Sequence, residues 1–420
     1  MPTRQGWMAL AGGLAAIVIG RTFALIELFG IGFAVIALVV IAVLIVQLRP
    51  VQLRISRKVN PRQVHAGETA RVELQAANRA RLRSPALELC DPVSGTPGAR
   101  VELGPLAHGA RTRAAYRLPT RQRGQLEIGP LELTRTDVLG LAARTVIAAP
   151  VAHVTVLPRW HRVSVPGATA GTGPLTQHLR MRALGREGSE FRSLRDYAPG
   201  DDLRRVHWKA SARTDGLKVR EVETEGLRML AVVLDLDAAP YGVDPSAPSV
   251  TRPMALAARD GGADEPFERA ITAVASIVMS AAMQGRDVRF LSTAGFELRP
   301  SAGNMDDVLE DLALARTTAR TPVASTGGAL GSKMAGGLLV YVSGLVNPQR
   351  LTSLRRVTGA DAAVAVACVA PLPNQIAGVF VADATTDERF TASWARLVGD
   401  IPVAAHDERM RAWAAVGAAQ

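Results

Sequence analysis

Two cysteines, Cys90 and Cys368, are all that the 420 residues contain. They lie far apart in apolar surroundings, so they offer neither a disulfide framework nor metal-ligand spacing, and they read as reduced thiols in core positions. Aromatic residues make up only 4% of the chain. Stacking platforms for bases are therefore missing, and nucleic-acid binding is not expected. No GxxxxGK[ST], HExxH or GxSxG motif occurs, which removes the phosphate-cradling loop, the helical zinc pair and the nucleophile elbow. On these absences the chain is expected not to be an enzyme.

What is present is globular: 48% hydrophobic and 21% charged residues, in a length that suits two or three domains with real cores. The net charge of +11 is unevenly spread. Residues 49–228 carry 31 basic against 17 acidic side chains, whereas residues 229–420 carry 16 against 20. A basic middle of this kind marks a surface facing something anionic.

Two apolar runs open the chain. Trp7–Gly20 is closed by Arg21, and Leu28–Val46 is an uncharged run of 19 residues, the length that crosses a bilayer as a helix. The second run is longer than a signal peptide's core and is followed by no small-residue cleavage site. The pattern predicts a transmembrane helical hairpin over residues 1–48 with a tight turn near Glu27. Arg4 precedes it and Arg49, Arg54, Arg57 and Lys58 follow it, so the positive-inside rule puts both ends and all later residues in the cytoplasm of a two-pass membrane protein.

Residues 52–157 change to short alternating stretches: Ala70–Ala76, Leu87–Leu89, Thr112–Leu118, Gln125–Ile128, Leu131–Thr134 and Val151–Leu157. Gly-Pro punctuation separates them. This predicts a β-sandwich module of about seven strands, immunoglobulin-like in architecture. Its arginines are expected to face solvent or anionic headgroups, where each contributes about 1 kcal/mol. Residues 158–187, with Pro158, Pro166 and the Gly/Thr-rich 168–176, read as a loose connector.

Residues 188–225 form a dense segment, with LRDYAPGDDLRRVHWKASAR at its centre. Pro199-Gly200 suits a type II turn, and Asp201 or Asp202 suits the cap of a short helix with Leu203, Val206 and Ala210 on its buried face. Trp208 is expected to cover apolar surface, and the segment to brace the β module against the last domain. His207 lacks the partner and cleft that a general base needs. Glu190, Phe191, Leu194, Arg195, Tyr197, Gly200, Asp201, Arg204, Trp208, Ser211, Ala212, Arg213 and Leu217 follow the signature of the domain-of-unknown-function family 58 (DUF58), which this segment closely resembles. The resemblance implies a membrane protein carrying a von Willebrand factor A-like domain. Relatives are often encoded beside MoxR-type AAA+ ATPases, so it also implies such an ATPase as partner.

Residues 226–420 alternate strands and helices. Met229–Leu234, Asp287–Ser292, Gly337–Ser343, Ala362–Val369 and Ile401–Ala404 read as strands. Glu265–Met283, Met305–Ala315, Asn347–Val357, Glu388–Val398 and Asp407–Val416 read as helices. The alternation predicts a doubly wound α/β domain, which agrees with the fold that the resemblance implies. Ligands of such folds sit beyond the carboxyl ends of the strands, where Asp235 and Asp237 stand. The metal-binding versions use Asp-x-Ser-x-Ser; here Asp237 replaces the first serine and Ala239 the second, so a Mg²⁺ site would be degenerate. Thr326 is a loose candidate for a further hydroxyl. The two carboxylates either hold a hydrated cation or meet arginines of the signature segment, Arg195 or Arg213.

Two functions follow. The first is a membrane-anchored, non-enzymatic scaffold presenting its last domain to a protein partner, and the signature residues then serve structure or partner binding. The alternative is a divalent-metal-dependent enzyme or ligand-binding protein built on Asp235 and Asp237.

Overall fold

The computed structural model describes residues 1–48, 53–166, 171–184, 191–198, 206–213, 216–222, 229–242, 265–301, 303–318, 337–360, 362–370 and 379–399. They fall into two compact units that divide after Leu157.

The first unit begins with helices α1 (Arg4–Thr22) and α2 (Ile26–Leu48). Thr3 caps α1 by accepting the Gly6 amide at 3.1 Å, as a threonine before a helix does. A three-residue turn, with Ala24 at φ +56°, reverses the chain slightly earlier than the turn expected near Glu27. The helices approach closely along small residues: Gly6, Gly13 and Gly20 are buried on α1, and Gly32, Val39, Ala42 and Val46 on α2. A Cβ on Gly32 would stand 2.6 Å from the Gly13 carbonyl oxygen, and one on Gly13 3.1 Å from that of Gly32. Only glycine permits such contact, which is how helices associate where lipid removes the hydrophobic drive. Among the described residues, α2 is the helix long and apolar enough to cross a membrane, with a mean hydropathy of 3.2 in its most apolar stretch.

Both outer ends of this pair are fastened to one loop of the β module. The Thr3 amide donates to Leu141 O at 2.9 Å, and its hydroxyl to Gly140 O at 2.5 Å. Ala42 and Val46 of α2 cluster with Ala142. Arg144 donates to Gln47 O at 2.8 Å.

The β module holds ten strands: β1 (Leu53–Asn60), β2 (Gln63–His65), β3 (Arg71–Asn78), β4 (Leu87–Val93), β5 (Thr96–Leu103), β6 (Arg111–Arg117), β7 (Gly124–Ile128), β8 (Leu131–Thr136), β9 (Ala143–Ala149) and β10 (Ala152–Leu157). They form a three-stranded sheet, β1-β3-β6, and a seven-stranded sheet, β2-β10-β7-β4-β8-β9 with β5 paired to β4. Pairing is antiparallel except between β2 and β10. In β3 the alternate residues Val72, Leu74 and Ala76 enter a core shared with Leu89, Leu126, Ile128 and Val154. Every strand expected from the sequence exists. Beyond the six stretches read as strands, the module adds β1, β2, β5 and β9. Of these, β1 and β9 bury no residue fully, and β5 opens on Pro97-Gly98, a pair that reads as a turn.

One buried polar bridge joins the two sheets. Arg57 of β1 meets Asp91 of β4 at 2.7 Å, with side chains 4% and 0% exposed. Tyr116 of β6 donates to the other Asp91 oxygen at 2.6 Å. Burial, then this hydrogen bond, raises the Tyr116 hydroxyl well above its ordinary value, so it stays protonated as a donor.

The second unit starts at Pro158. Its first residues are docked, contrary to a loose connector: the His161 and Val163 amides each donate at 2.9 Å to Ser276 and Ser280, and Ser164 O accepts from the Trp394 indole at 2.7 Å. Helix α3 (Pro174–Leu184) follows, then a ribbon of β11 (Phe191–Asp196) and β12 (Lys218–Val222) that frames the short helix α4 (Trp208–Ser211). The remainder is α/β: β13 (Leu230–Leu234), α5 (Pro266–Met283), β14 (Val288–Ser292), β15 (Glu297–Leu298), α6 (Met305–Leu314), β16 (Leu338–Ser343), α7 (Pro348–Thr358), β17 (Ala362–Ala367), β18 (Val379–Asp383) and α8 (Asp387–Val398). The sheet order is β15-β14-β13-β16-β17-β18, parallel apart from the β15 edge. Every residue of β13, β14, β16 and β17 is buried, as parallel strands covered on both faces require. Strand β18 went unforeseen, and the expected elements at 401–404 and 407–416 lie outside the described residues.

Candidate functional site

The chain leaves β13 toward β14 on one side and later returns through β16 on the other, so the order reverses at β13. In open α/β sheets that reversal makes the crevice where ligands bind. Asp235, Asp237, Tyr341, Ser343, Thr293 and Arg350 converge there.

Asp235 is the first residue beyond β13, and its amide extends the ladder to Val342 O at 2.8 Å. It is 1% exposed and Asp237 6%, so both carboxylates need partners. Arg350 supplies them. One of its nitrogens lies 3.1 Å from each Asp235 oxygen, and the other 2.6 Å from Asp237 Oδ2. Tyr341 donates to Asp235 Oδ2 at 2.5 Å and Ser343 at 3.0 Å. Thr293 accepts the Leu236 amide at 2.9 Å and lies 3.4 Å from Asp235 Oδ1. Burial and the neighbouring Asp235 push the Tyr341 hydroxyl up, which keeps it a donor. Burial opposes the charge on Arg350, but Asp237, Tyr341 and Asp235 outweigh that and hold its guanidinium more firmly protonated.

Local sequence puts Arg350 in place. Asn347 caps α7 by accepting the Gln349 and Arg350 amides at 2.9 and 3.2 Å. Pro348 occupies the first helical position, where its missing N–H costs nothing. The first turn of a helix that follows a strand looks back at the strand ends, so its third residue reaches the carboxylates.

These residues do not fit a divalent cation. Both Asp235 oxygens are engaged, a guanidinium stands between the carboxylates, and Ala239 offers no side-chain oxygen. Among the described residues no group of three or more His, Cys, Asp or Glu side chains is placed to hold a metal. The arginine expected from the signature segment is thus Arg350, from a different element. Thr326 lies outside the described residues, and Thr293 is the threonine at the site.

Glu190, Gly200, Asp201 and Arg204 of the signature lie outside the described residues; Phe191 and Arg195 are placed by backbone alone, on β11. Tyr197 continues the ribbon, its amide donating to Leu217 O at 2.8 Å. His207, not an aspartate, caps α4: its Nδ1 accepts the Ala210 amide at 3.1 Å. Ser211 locks the arch, donating to His207 O at 3.2 Å and accepting the Lys218 amide at 2.8 Å. Val206 is buried, but through a bridge to Val219; helix α4 is only four residues long, too short for the expected apolar face. Arg213 is exposed. Trp208 is 64% exposed, which overturns the expectation that its ring covers apolar surface. Cys368 is buried, and burial pushes its thiol up to about 12; Cys90 is half-buried, and both are free.

Residues 193–398, which contain the whole strand-end site, match the family described as "Protein of unknown function DUF58". A stretch of 128 residues is 27% identical to the uncharacterized protein YeaD of Bacillus subtilis (strain 168). That match covers 29% of this chain and 30% of the Bacillus protein, so the chain spans under a third of that relative's length. Among solved structures, the alkylpurine DNA glycosylase AlkC of Pseudomonas fluorescens is 13% identical over 27% of this chain and 32% of its own, at a TM-score of 0.19. A CARDB domain from Pyrococcus furiosus is 17% identical over 25% of this chain and 84% of its own, also at 0.19. Scores this low assign neither fold nor activity.

Proposed function

We propose, from the match of residues 193–398 to the DUF58 family, that the chain is a membrane-anchored, non-enzymatic scaffold. Its α/β unit, of the von Willebrand factor A-like kind, meets a protein partner, for which a MoxR-type AAA+ ATPase is the candidate. One observation carries this reading: the crevice where such a fold would hold a metal or substrate is filled by the chain's own Arg350. The strand ends are then a rigid surface and not a reaction centre. The exposed Trp208 supports it, because a tryptophan standing in water is the residue type that most often anchors a partner. The apolar α2 supports the anchor, and the basic flanks support two crossings with both units in the cytoplasm.

The test is co-purification of the full chain from native membranes, with and without ATP. Recovery of an AAA+ ATPase with the wild type, and its loss in Trp208→Ala, is expected. Recovery of no protein partner under either condition sinks the scaffold. A stoichiometric divalent ion that accompanies the wild type and is absent from Asp235→Asn would favour the metal-dependent alternative instead.

A further inference from the structure

The outer face of the β1-β3-β6 sheet carries a second site, unrelated to the strand ends. Register places Arg54, Ala77 and Arg111 in one row across the three strands, and Ser56, Gln75 and Arg113 in the next. These positions alternate with those that enter the core. Two long cations about 10 Å apart thus flank a methyl group, and the row is concave. With Arg79 and His108 they line a cavity of about 790 Å³.

Its rim is held by hydrogen bonds. The Asn78 amide nitrogen donates to Leu82 O and Leu106 O at 2.9 Å each, and its oxygen accepts the Ala80 amide at 2.9 Å. The Gly109 amide donates to Asn78 O at 3.0 Å, and His108 Nδ1 stands 2.8 Å from Ala80 O. Among the described residues no carboxylate pairs with Arg54, Arg79, Arg111 or Arg113. Arg57, on the opposite face of β1, is by contrast matched to Asp91. Four guanidinium groups with no carboxylate partner among the described residues repel each other around one hollow unless an anion joins them, and guanidinium forks suit phosphate oxygens.

We propose that this hollow binds the phosphate of an acidic membrane lipid headgroup. Arg54 follows the end of α2 by six residues, which span about 20 Å at most. The hollow therefore lies within reach of the headgroup layer that α2 would enter. The lipid assignment rests on α2 lying in a bilayer; the anion site rests on the sheet alone.

The experiment titrates the detergent-solubilised full chain with dihexanoyl-phosphatidylglycerol and, separately, with dihexanoyl-phosphatidylcholine, inorganic phosphate and a single-stranded oligonucleotide. Saturable binding of the acidic lipid is expected, with none of the choline lipid and only millimolar competition by phosphate. The triple variant Arg54→Gln/Arg111→Gln/Arg113→Gln should weaken it about tenfold or more, and Arg111→Gln alone in part. Arg71→Gln/Arg117→Gln, on the same face two rows beyond Arg113, should leave it unchanged. Equal binding by the wild type and the triple variant, or by both lipids, overturns the proposal. So does phosphate binding as tightly as the acidic lipid, or an oligonucleotide that binds more tightly and depends on the same arginines. Flotation with phosphatidylcholine vesicles tests the anchor separately: if the chain stays unbound there, anchoring fails while the titration still reads the hollow.

Discussion

Arg350 ion-pairs with both buried carboxylates at the strand ends, Asp235 and Asp237. Arg350→Ala removes the guanidinium countercharge shared by both, and breaking a buried pair from one side costs about 3–5 kcal/mol; a urea midpoint of the full chain reads the loss. Arg350→Lys should recover only part, since one ammonium cannot span both groups. Trp208→Ala, at an exposed position, should change stability by no more than about 0.5 kcal/mol, with its effect on partner capture alone. Asp383 gives the acid limb. Burial raises its carboxyl, but the Thr385 hydroxyl and amide, with Arg389 and Arg396, lower it below the ordinary 3.8. A depressed folded-state value stabilises above 3.8 and is lost as pH falls through the folded value. Asp383→Asn should therefore lower the melting temperature at neutral pH, and the gap to wild type should close below about pH 3.8. Asp235 and Asp237 were legible as strand-end residues because a buried run stops at them. Their countercharge was not, since Arg350 is over a hundred positions away among 49 lysines and arginines. The one local sign was Asn347-Pro348, a helix start directly after a strand.

At the scale of elements, the Arg57–Asp91–Tyr116 bridge ties β1 and β6 to β4, and so one sheet to the other. Tyr116→Phe removes one hydrogen bond to a charged group, at about 1.5–3 kcal/mol, while Asp91→Ala strands a buried guanidinium at about 3–5 kcal/mol; thermal melts should rank them in that order. The strands with a buried alternation were readable from period two alone. β1 and β9 were not, because edge strands that bury little carry no apolar signal. Pro97-Gly98 hid β5 behind turn chemistry. In the α/β unit the strands were continuous apolar runs, and β13, β14, β16 and β17 stood where expected. The signature segment misled because Val206 lies in a strand-like bridge to Val219 and the described helix, Trp208–Ser211, is a single capped turn. Its tryptophan stands 64% exposed.

Across the whole molecule, the helix pair and the first β unit share one set of fastenings. Gly13→Leu or Gly32→Leu should drive the helices apart, because each added side chain meets backbone at about 3 Å or less, and cysteine cross-linking between α1 and α2 should fall. If both crossings are real, protease added outside intact cells should leave both units whole, and digestion there would reverse the proposed orientation. The loop at Gly140–Ala142 grips Thr3 and the end of α2. Ribosomes make chains from the N-terminus, so this clasp is synthesised long after the segments it closes. During that interval the helix pair has nothing but its own glycine seam to keep it together. A lesion in the seam should thus act during biogenesis, as failed insertion and rapid turnover, while the same lesion introduced after the clasp has shut would be tolerated.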